Sequence, residues 1–374
     1  MGIRHAEPVA ARIAIAGDFL PAGNLALPPG GWRAATRGLA PYFDDVATSF
    51  LNLECALDAD NLPARPPAGL GQTVSAPSAS LEYLQAIRCS FVGCANNHTF
   101  DFRAAGVERT RAAVARHGIV PLGAGRTLCD VPEVFLWHGP GDIRVGFWAA
   151  AIASRELATR TSAGVEPATV ARATEAIKIL NSRGARVSFA LVHAGCLRTN
   201  RPDPAEADRI DAIANCGFRV VAASHSHRIS GARVSAATNL PASFCFFGLG
   251  SVVSGYCENP LEREGLIVVA GLTARSDLAR VELRPVLLGE SGFGQVPAPQ
   301  TSEAILERFR SLSNEIADGS SARLFYSDVS QGIIRLYLRD VRAALRQAGL
   351  RGVARKARRV RMRHMKRLVR AVLP

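Results

Sequence analysis

Residues 91–102, FVGCANNHTFDF, join a short apolar run to a group of polar side chains. The apolar run predicts a buried strand, and Asn97 and His98 follow where that strand ends. Strand ends are where ligand-binding crevices form in α/β proteins. The two polar residues therefore mark a candidate site, and the same arrangement can be sought elsewhere in the chain.

Four other apolar runs end in the same way. The polar residues that follow them are Asp18 after ARIAIAG, Glu54 after SFLNL, His193 after SFALV, and His225 with His227 after FRVVAAS. Carboxylate and amide oxygens together with imidazole nitrogens are ligands for divalent ions such as Mn, Fe, Zn or Mg, whereas softer metal ions prefer thiolate ligands. Residues two apart on an extended segment point the same way, so His225 and His227 are both expected to face one site. The pattern predicts a metal site on a sheet.

Strand and helix patterns alternate along the chain, with β-rich sequence later, which is typical of an α/β fold. The predicted strands are Arg12–Ala16, Ser49–Leu53, Ser90–Ala95, Arg144–Ala150, Arg186–Val192, Arg219–Ala223, Ser243–Phe247 and Gly265–Ala270. The predicted helices are Ser80–Arg88, Ala104–His117, Glu166–Ser182 and Ala205–Cys216. Pro- and Gly-rich composition predicts a loop over Leu62–Pro77 and a linker over Gly289–Gln300.

The net charge of +13 is concentrated near the C-terminus. Of the 45 basic and 32 acidic residues, 13 basic residues and one acid lie between Arg339 and Arg370, which leaves a nearly neutral body of 32 basic and 31 acidic residues. Apolar residues recur there at helical spacing, so we expect a basic amphipathic helix over 331–374. Such a segment suits an anionic membrane surface, where each Lys or Arg contributes about 1 kcal/mol.

Nucleic acid is a competing partner for the basic tail, and a solvated tail is the simplest alternative. The stretch from Arg339 to Arg370 has no aromatic residue for base stacking, and no recognition motif precedes it, which disfavours nucleic acid. No apolar run approaches the roughly 18 residues of a membrane-spanning helix, and the N-terminus leads directly into the strand that carries Asp18. We therefore expect a cytoplasmic protein, peripheral at the inner membrane face. The eight scattered cysteines, none in a CxxC pair, agree with a reducing compartment.

Seven segments in order over about residues 10–255 resemble the CapA-type poly-γ-glutamate and capsule synthesis family, which belongs to the calcineurin-like metallophosphoesterases. They are GDFLPAGN, NLECAL, CANNHTFDFRAAGVERT, GIVPLGAG, LVHAG, SHSHRISG and FFGLGS. The resemblance implies an α/β (α+β) fold, a four-layer αββα sandwich, followed here by the basic helical tail. It places the family domain at 10–288, a linker and C-terminal extension at 289–330, and the tail at 331–374.

The resemblance also implies two divalent metal ions as cofactors. Glu54 would bridge them, Asp18 and His227 would complete the ligands of one ion, and Asn97, His193 and His225 those of the other. Together with the two carboxylates the ions would leave positive charge that attracts a phosphate or another oxyanion. The implied activity is metal-dependent hydrolysis or transfer at a phosphoester, with an amide or γ-glutamyl bond as the alternative, on a polymer or phosphorylated substrate.

His98 is adjacent to Asn97 and is implied to protonate a leaving oxygen, with Asp101 orienting its ring. An alternative for Asp101 is a helix N-cap at the start of the predicted helix Ala104–His117.

The chain departs from the family pattern after His193. The family has a Trp and acidic residues there, whereas this chain continues with Ala194, Gly195, Cys196 and Leu197. A second hypothesis is therefore a non-catalytic accessory protein of polymer synthesis that binds the membrane or synthase partners. Cys196 is a candidate nucleophile or ligand, with a buried structural role as its alternative.

Overall fold

The computed structural model describes residues 7–65, 72–125, 127–128, 134–152, 154, 156–197, 199–235 and 241–329. In this part of the chain the strands are β1 Ala11–Gly23, β2 Thr48–Leu53, β3 Ala56–Leu57, β4 Ser75–Ala76, β5 Cys89–Gly93, β6 Val120–Leu122, β7 Ala124–Gly125, β8 Val134–His138, β9 Arg144–Ala151, β10 Gly164–Val165, β11 Val187–Ala194, β12 Val220–His225, β13 Ala232–Ser235, β14 Ser243–Phe246, β15 Ser251–Gly255, β16 Glu264–Leu272, β17 Leu278–Leu288 and β18 Gly294–Gln295. The α-helices are α1 Gly31–Ala35, α2 Leu81–Ala86, α3 Arg103–Arg116, α4 Val170–Ser182, α5 Pro204–Ala214 and α6 Pro299–Ala317. Residues 320–329 are also helical.

Two large mixed sheets form the body of the molecule. The first has the order β18-β17-β16-β1-β2-β5-β6. Strand β1 pairs with β16 along its first half and with β15 along its second half. The second has the order β13-β14-β12-β11-β9-β8. In each sheet the central strands are parallel, β1 with β2 and β5 in the first and β9, β11, β12 and β14 in the second. Each sheet therefore has one edge where the carboxyl ends of its parallel strands meet.

The molecule has four layers, namely helices, the first sheet, the second sheet and helices, and apolar side chains fill the three spaces between them. Between the sheets, rings from both sides interlock, with the Phe91 and Phe147 centroids 4.1 Å apart. The outer face of the first sheet packs against α1, α2 and α3, and the outer face of the second packs against α4 and α5. Strands covered on both faces need nearly continuous apolar sequence, which explains the runs that predicted them. The predicted αββα fold class is confirmed.

The segment Gly289–Gln300 is not a free linker as the sequence suggested. Within it β18 pairs with β17, and the Phe293 side chain is buried against Trp32 at a centroid distance of 5.7 Å. The following helix, α6, buries Ile305 and Phe309 among the residues that fill the space between the sheets. Turn-forming composition marked this stretch correctly as irregular, but strand pairing and an aromatic anchor tie it to the body. The predicted helical tail, 331–374, lies outside the described residues.

None of the helices in the described ranges is long and apolar enough to cross a membrane.

Candidate metal centre

The carboxyl edges of the two sheets meet, and the predicted ligands lie at this junction. The first sheet contributes Asp18 within β1 and Glu54 directly after β2. The second contributes His193 on β11 and His225 at the end of β12, two strands paired in register so that His193 lies opposite Ser224. The chain thus brings together residues that are more than 200 positions apart in sequence.

The ligand atoms form two groups that share Glu54. In the first group, Glu54 Oε1 lies 3.5 Å from His193 Nε2 and 3.6 Å from His225 Nδ1. In the second, His227 Nδ1 lies 3.1 Å from Asp18 Oδ2 and 3.8 Å from Glu54 Oε2. Asn97 joins the first group, because its Oδ1 lies 2.6 Å from His193 Nε2. All six predicted ligand residues are therefore in one cluster.

Three buried polar atoms of this cluster have no hydrogen-bond partner. They are both carboxylate oxygens of Glu54 and His225 Nδ1. A buried polar atom that is left unsatisfied costs about 1–3 kcal/mol, and more when it is charged. Carboxylate oxygens and imidazole nitrogens that converge without other partners fit a divalent cation, which would bind all of them as ligands. The residues present therefore fit the metal site that the sequence predicts.

Burial and mutual charge set the protonation of the metal-free cluster. Burial, and then the Asp18 carboxylate, raise the pKa of Glu54 to about 8. Burial opposes the charge on His227, but Glu54 and Asp18 outweigh it and raise the His227 pKa to about 9. Burial followed by His227 lowers the pKa of His225 to about 4, and burial with His225 lowers that of His193 far below its usual range. Without a cation, Glu54 and His227 would thus carry protons at neutral pH, which metal binding would displace.

Two asparagines that the sequence analysis did not select hold the ligands in place. Asn52 Nδ2 lies 2.7 Å from Asp18 Oδ1 and 3.2 Å from His193 Nδ1, so it links a ligand from each sheet. Asn96 donates to the Leu53 carbonyl at 2.7 Å, and its Oδ1 accepts from the backbone N–H of His98 at 3.1 Å. Asn52 is a polar residue inside the apolar run SFLNL, and that exception was the signal that could have identified it.

His98 and Asp101 form the pair that the resemblance implied. His98 Nδ1 lies 2.7 Å from Asp101 Oδ2, and the same oxygen accepts from the Val74 backbone N–H at 2.8 Å. An ionised carboxylate only accepts, so Nδ1 carries the proton and Nε2 is left available. Helix α3 begins at Arg103 after Phe102, without a side-chain cap, so the N-cap alternative for Asp101 is wrong. His98 follows the ligand Asn97 directly in the chain, and its backbone N–H is held by Asn96 Oδ1.

The two histidines of the His225-Ser226-His227 segment reach the cluster by a route that differs from the prediction. The sequence predicted an extended segment, but φ is 138° at His225 and 55° at His227, both in the region that favours glycine. The chain therefore turns here, and each imidazole meets a different group, His225 with His193 and His227 with Asp18. Such backbone conformations cost about 1–3 kcal/mol each and occur mainly at functional sites.

Cys196 follows the site on the loop after β11 and is only half-buried, so the structural alternative of a buried small residue does not describe it. It is not among the residues that group as metal ligands in the described part of the chain.

A model of the family described as bacterial capsule synthesis protein PGA_cap matches residues 12–256. The chain belongs to this family. The match contains every residue of the cluster and the His98–Asp101 pair, and it ends before β16. The predicted capsule synthesis resemblance is thereby confirmed.

Solved structures with a similar fold have little sequence in common with this chain. A 5'-nucleotidase precursor from Thermus thermophilus is 12% identical, with a TM-score of 0.46, and the match covers 80% of this chain but 58% of that one. The calcineurin-like phosphoesterase YfkN from Bacillus subtilis is 12% identical, with a TM-score of 0.47, covering 82% and 98%. A 5'-nucleotidase from Candida albicans is also 12% identical, with a TM-score of 0.43, covering 83% and 59%. This chain thus spans less than two thirds of the length of both nucleotidases. The search of curated proteins returned no match.

Proposed function

We propose that this member of the capsule synthesis family is a metal-dependent hydrolase or transferase that acts on a phosphoester. The observation that carries the proposal is the pair of ligand groups sharing Glu54, whose two oxygens are buried without a hydrogen-bond partner. A structural role for Glu54 would require a partner for that carboxylate. Two ions from among Mn, Fe, Zn and Mg would supply one.

In this proposal Glu54, His193, His225 and Asn97 hold one ion, and Glu54, Asp18 and His227 hold the other. The ions would supply positive charge for a phosphate oxyanion and would acidify a water molecule for attack. Asn52 orients Asp18 and His193 towards them. Such supporting hydrogen bonds fix the tautomer of the ligand imidazole and the direction of its ring.

His98 is the proposed general acid. Because Asp101 accepts the hydrogen bond from Nδ1, the ring is fixed in orientation, and its imidazolium form carries a second proton on Nε2. That proton would pass to a leaving oxygen, which leaves a neutral imidazole protonated on Nδ1. Asp101 is held in turn by the Val74 N–H, so the pair is positioned by the backbone of a separate loop.

The biological substrate is proposed from family membership. It is a capsule or poly-γ-glutamate-type surface polymer, or a phosphorylated precursor of one. A γ-glutamyl or other amide bond is an alternative target, because metal ions polarise carbonyl and phosphoryl oxygens alike.

We propose that the basic segment 339–370 holds the protein at an anionic membrane, peripheral at the inner face, where it would meet synthase partners. The support is the charge balance of 13 basic residues to one acid in that segment. Each cation near such a surface contributes about 1 kcal/mol.

An accessory role without turnover is the second candidate. It is favoured by the loop after His193, where Gly195, Cys196 and Leu197 offer no acidic side chain and Leu197 is 51% exposed. In that case the protein would bind polymer or synthase through metal and tail alone.

Hydrolysis of bis(p-nitrophenyl) phosphate by the Mn²⁺-loaded protein separates the two candidates. We expect turnover in the wild type and a loss of about 10²-fold or more in His98→Asn, with Mn²⁺ content unchanged. His117→Asn is the control, since His117 caps the end of α3 and its Nδ1 bonds the Ala113 carbonyl. Metal binding without any turnover in the wild type, on phosphodiester and γ-glutamyl amide probes alike, would support the accessory role.

A further inference from the structure

The three histidines of the candidate metal centre lead into two loops. One comprises residues 195–197 and 199–203 after β11, and the other comprises residues 226–231, which include His227 and lead into β13 at Ala232. Both loops contact a helical extension, here called the brace, which consists of α6 and the helical residues 320–329. The brace lies outside residues 12–256, the part that matches the family model.

The first loop is tied to the brace by Arg201. Its guanidinium donates to both carboxylate oxygens of Glu315 in α6, at 2.7 and 2.9 Å, and to Asp328 Oδ2 at 2.8 Å. Thr199 Oγ1 donates to the same Asp328 oxygen at 3.1 Å. The Arg201 and Glu315 side chains are each 21% exposed. Bidentate contacts of this kind fix geometry as well as adding energy, so the loop after His193 is held in one position by two helical segments.

The second loop packs on the brace directly. The Ala232 N–H donates to Ser313 Oγ in α6 at 3.0 Å. A Cβ on Gly231 would lie 2.5 Å from the Leu312 carbonyl carbon and the Ser313 nitrogen, so only glycine permits this approach. The two loops are also joined to each other, because Asn200 Nδ2 donates to the Ile229 carbonyl at 2.8 Å. Loop, loop and brace therefore form one connected unit.

The strained backbone at His225 and His227 needs surrounding contacts that hold it, and the two loops and the brace supply such contacts. Positive φ at two non-glycine residues persists only where the surroundings over-determine the conformation. The residues that α6 contacts, Gly231 and Ala232, follow His227 by four and five positions on the same chain segment. Without that contact, the turn could relax, and the imidazoles would no longer converge on Glu54 and Asp18.

We propose that the brace positions the three histidines for metal binding, with Arg201 as the positioning residue that fastens it. The inference rests on the proposed metal-dependent function and adds to it a region that the family match does not include. Arg201 touches no ligand of the centre in the described contacts; it acts through the loop that follows His193.

Mn²⁺ titration calorimetry on full-length Arg201→Ala tests the proposal. We expect the weaker of the two Mn²⁺ affinities to fall by about tenfold or more, the scale found when groups behind metal ligands are removed. The visible spectrum of the Co²⁺ form should also change, since it reports ligand geometry. Arg201→Lys should restore part of the affinity because it retains one charged contact.

Arg284→Ala is the matched control. Arg284 also makes a bidentate pair, with Asp45 at 2.8 Å for both contacts, and Asp45 lies beside Arg12 at the start of β1, at the opposite edge of the sheet. We expect it to lower stability without changing the Mn²⁺ affinities or the Co²⁺ spectrum. Glu315→Gln, an isosteric change, provides a second reading should Arg201→Ala fail to fold.

The outcomes distinguish the two proposals. Two Mn²⁺ affinities that are the same in wild type, Arg201→Ala and Glu315→Gln would overturn the brace and leave the proposed function standing. Equal losses in the Arg201 and Arg284 variants would also overturn it, because the effect would then be one of general stability. A wild type that binds no Mn²⁺ would overturn the proposed function and the brace together.

Discussion

Glu54 and Glu166 are both fully buried glutamates, but their surroundings differ. Both oxygens of Glu166 accept from Arg172, at 2.5 and 2.9 Å, which is the pairing a buried carboxylate needs to remain charged. Neither oxygen of Glu54 accepts a hydrogen bond, and its neighbours are a second carboxylate and three imidazoles. A buried charge is tolerated when it is paired or when it binds a metal. Glu166 therefore has the surroundings of a structural carboxylate, whereas Glu54 has those of a candidate metal ligand.

The largest expected difference comes from replacing each glutamate by its isosteric amide. Glu54→Gln should lower Mn²⁺ affinity by about 100-fold, since a ligand shared by both ions is lost. It should also stabilise the metal-free protein at pH 8 by about 2 kcal/mol, because the cost of burying this carboxyl group, which raises its pKa, is removed. Glu166→Gln should instead destabilise the protein by about 3 kcal/mol and leave Mn²⁺ affinity unchanged.

Urea unfolding and Mn²⁺ calorimetry on both variants check this prediction. Destabilisation of the metal-free protein by Glu54→Gln as large as that by Glu166→Gln would contradict the comparison, because it would show that Glu54 already has a structural partner.

A smaller effect is expected from pH. Glu54 has a pKa of about 8 in the folded protein against 4.5 ordinarily, and His227 about 9 against 6.5. Between pH 6.5 and 8 the folded, metal-free protein therefore holds protons that the unfolded chain has released. Stability falls with rising pH when the unfolded state binds fewer protons, so the free energy of unfolding should drop by about 2 kcal/mol over this window.

Urea titrations at pH 6.5 and 8, with and without saturating Mn²⁺, measure this change. Binding of the metal should abolish the decrease, since it replaces the protons. A metal-free protein whose stability is flat or rises over the window would show that the two raised pKa values are incorrect.

The smallest effect on the metal centre is expected from removal of the basic tail. Removing residues 330–374 should leave Mn²⁺ affinity within about twofold of the full chain, because the contacts described between the brace and the two loops are all made by residues before 330. Binding to vesicles with 30% phosphatidylserine should be lost, as roughly 1 kcal/mol per cation is removed. Sedimentation with vesicles measures this. Vesicle binding that survives the deletion would exclude the tail as the membrane contact.

The sequence predicted which side chains lie together at the candidate metal centre because each of them is an exception in its own segment. Asp18 and Glu54 are acids at the ends of apolar runs, and parallel strands place such ends at one edge. The polar residue alone carries enough information there. The same reasoning predicted β1, β2, β5, β9, β11, β12, β14 and β16, because strands covered on both faces have nearly continuous apolar sequence. Strands β8, β13, β15, β17 and β18 of the same sheets were not predicted.

What the sequence could not predict depends on contacts between distant segments. The positive φ at His225 and His227 occurs just before residues that pack on α6, about 80 positions later in the chain. The segment 289–300 looked like a linker because pairing of β18 and burial of Phe293 depend on the first sheet being in place. Neither the backbone conformation of the two histidines nor the packing of segment 289–300 can be predicted from local composition.

Metal content is the measurement that tests the central claim most directly. The purified protein should be loaded with Mn²⁺, dialysed, and analysed by inductively coupled plasma mass spectrometry, alongside the double variant His225→Ala, His227→Ala and the control Glu166→Gln. The shared position of Glu54 between two ligand groups predicts close to two ions per chain in the wild type and the control, and fewer than one in the double variant. Equal metal content in all three proteins, or none in the wild type after loading with Mn²⁺ or Zn²⁺, would contradict the account.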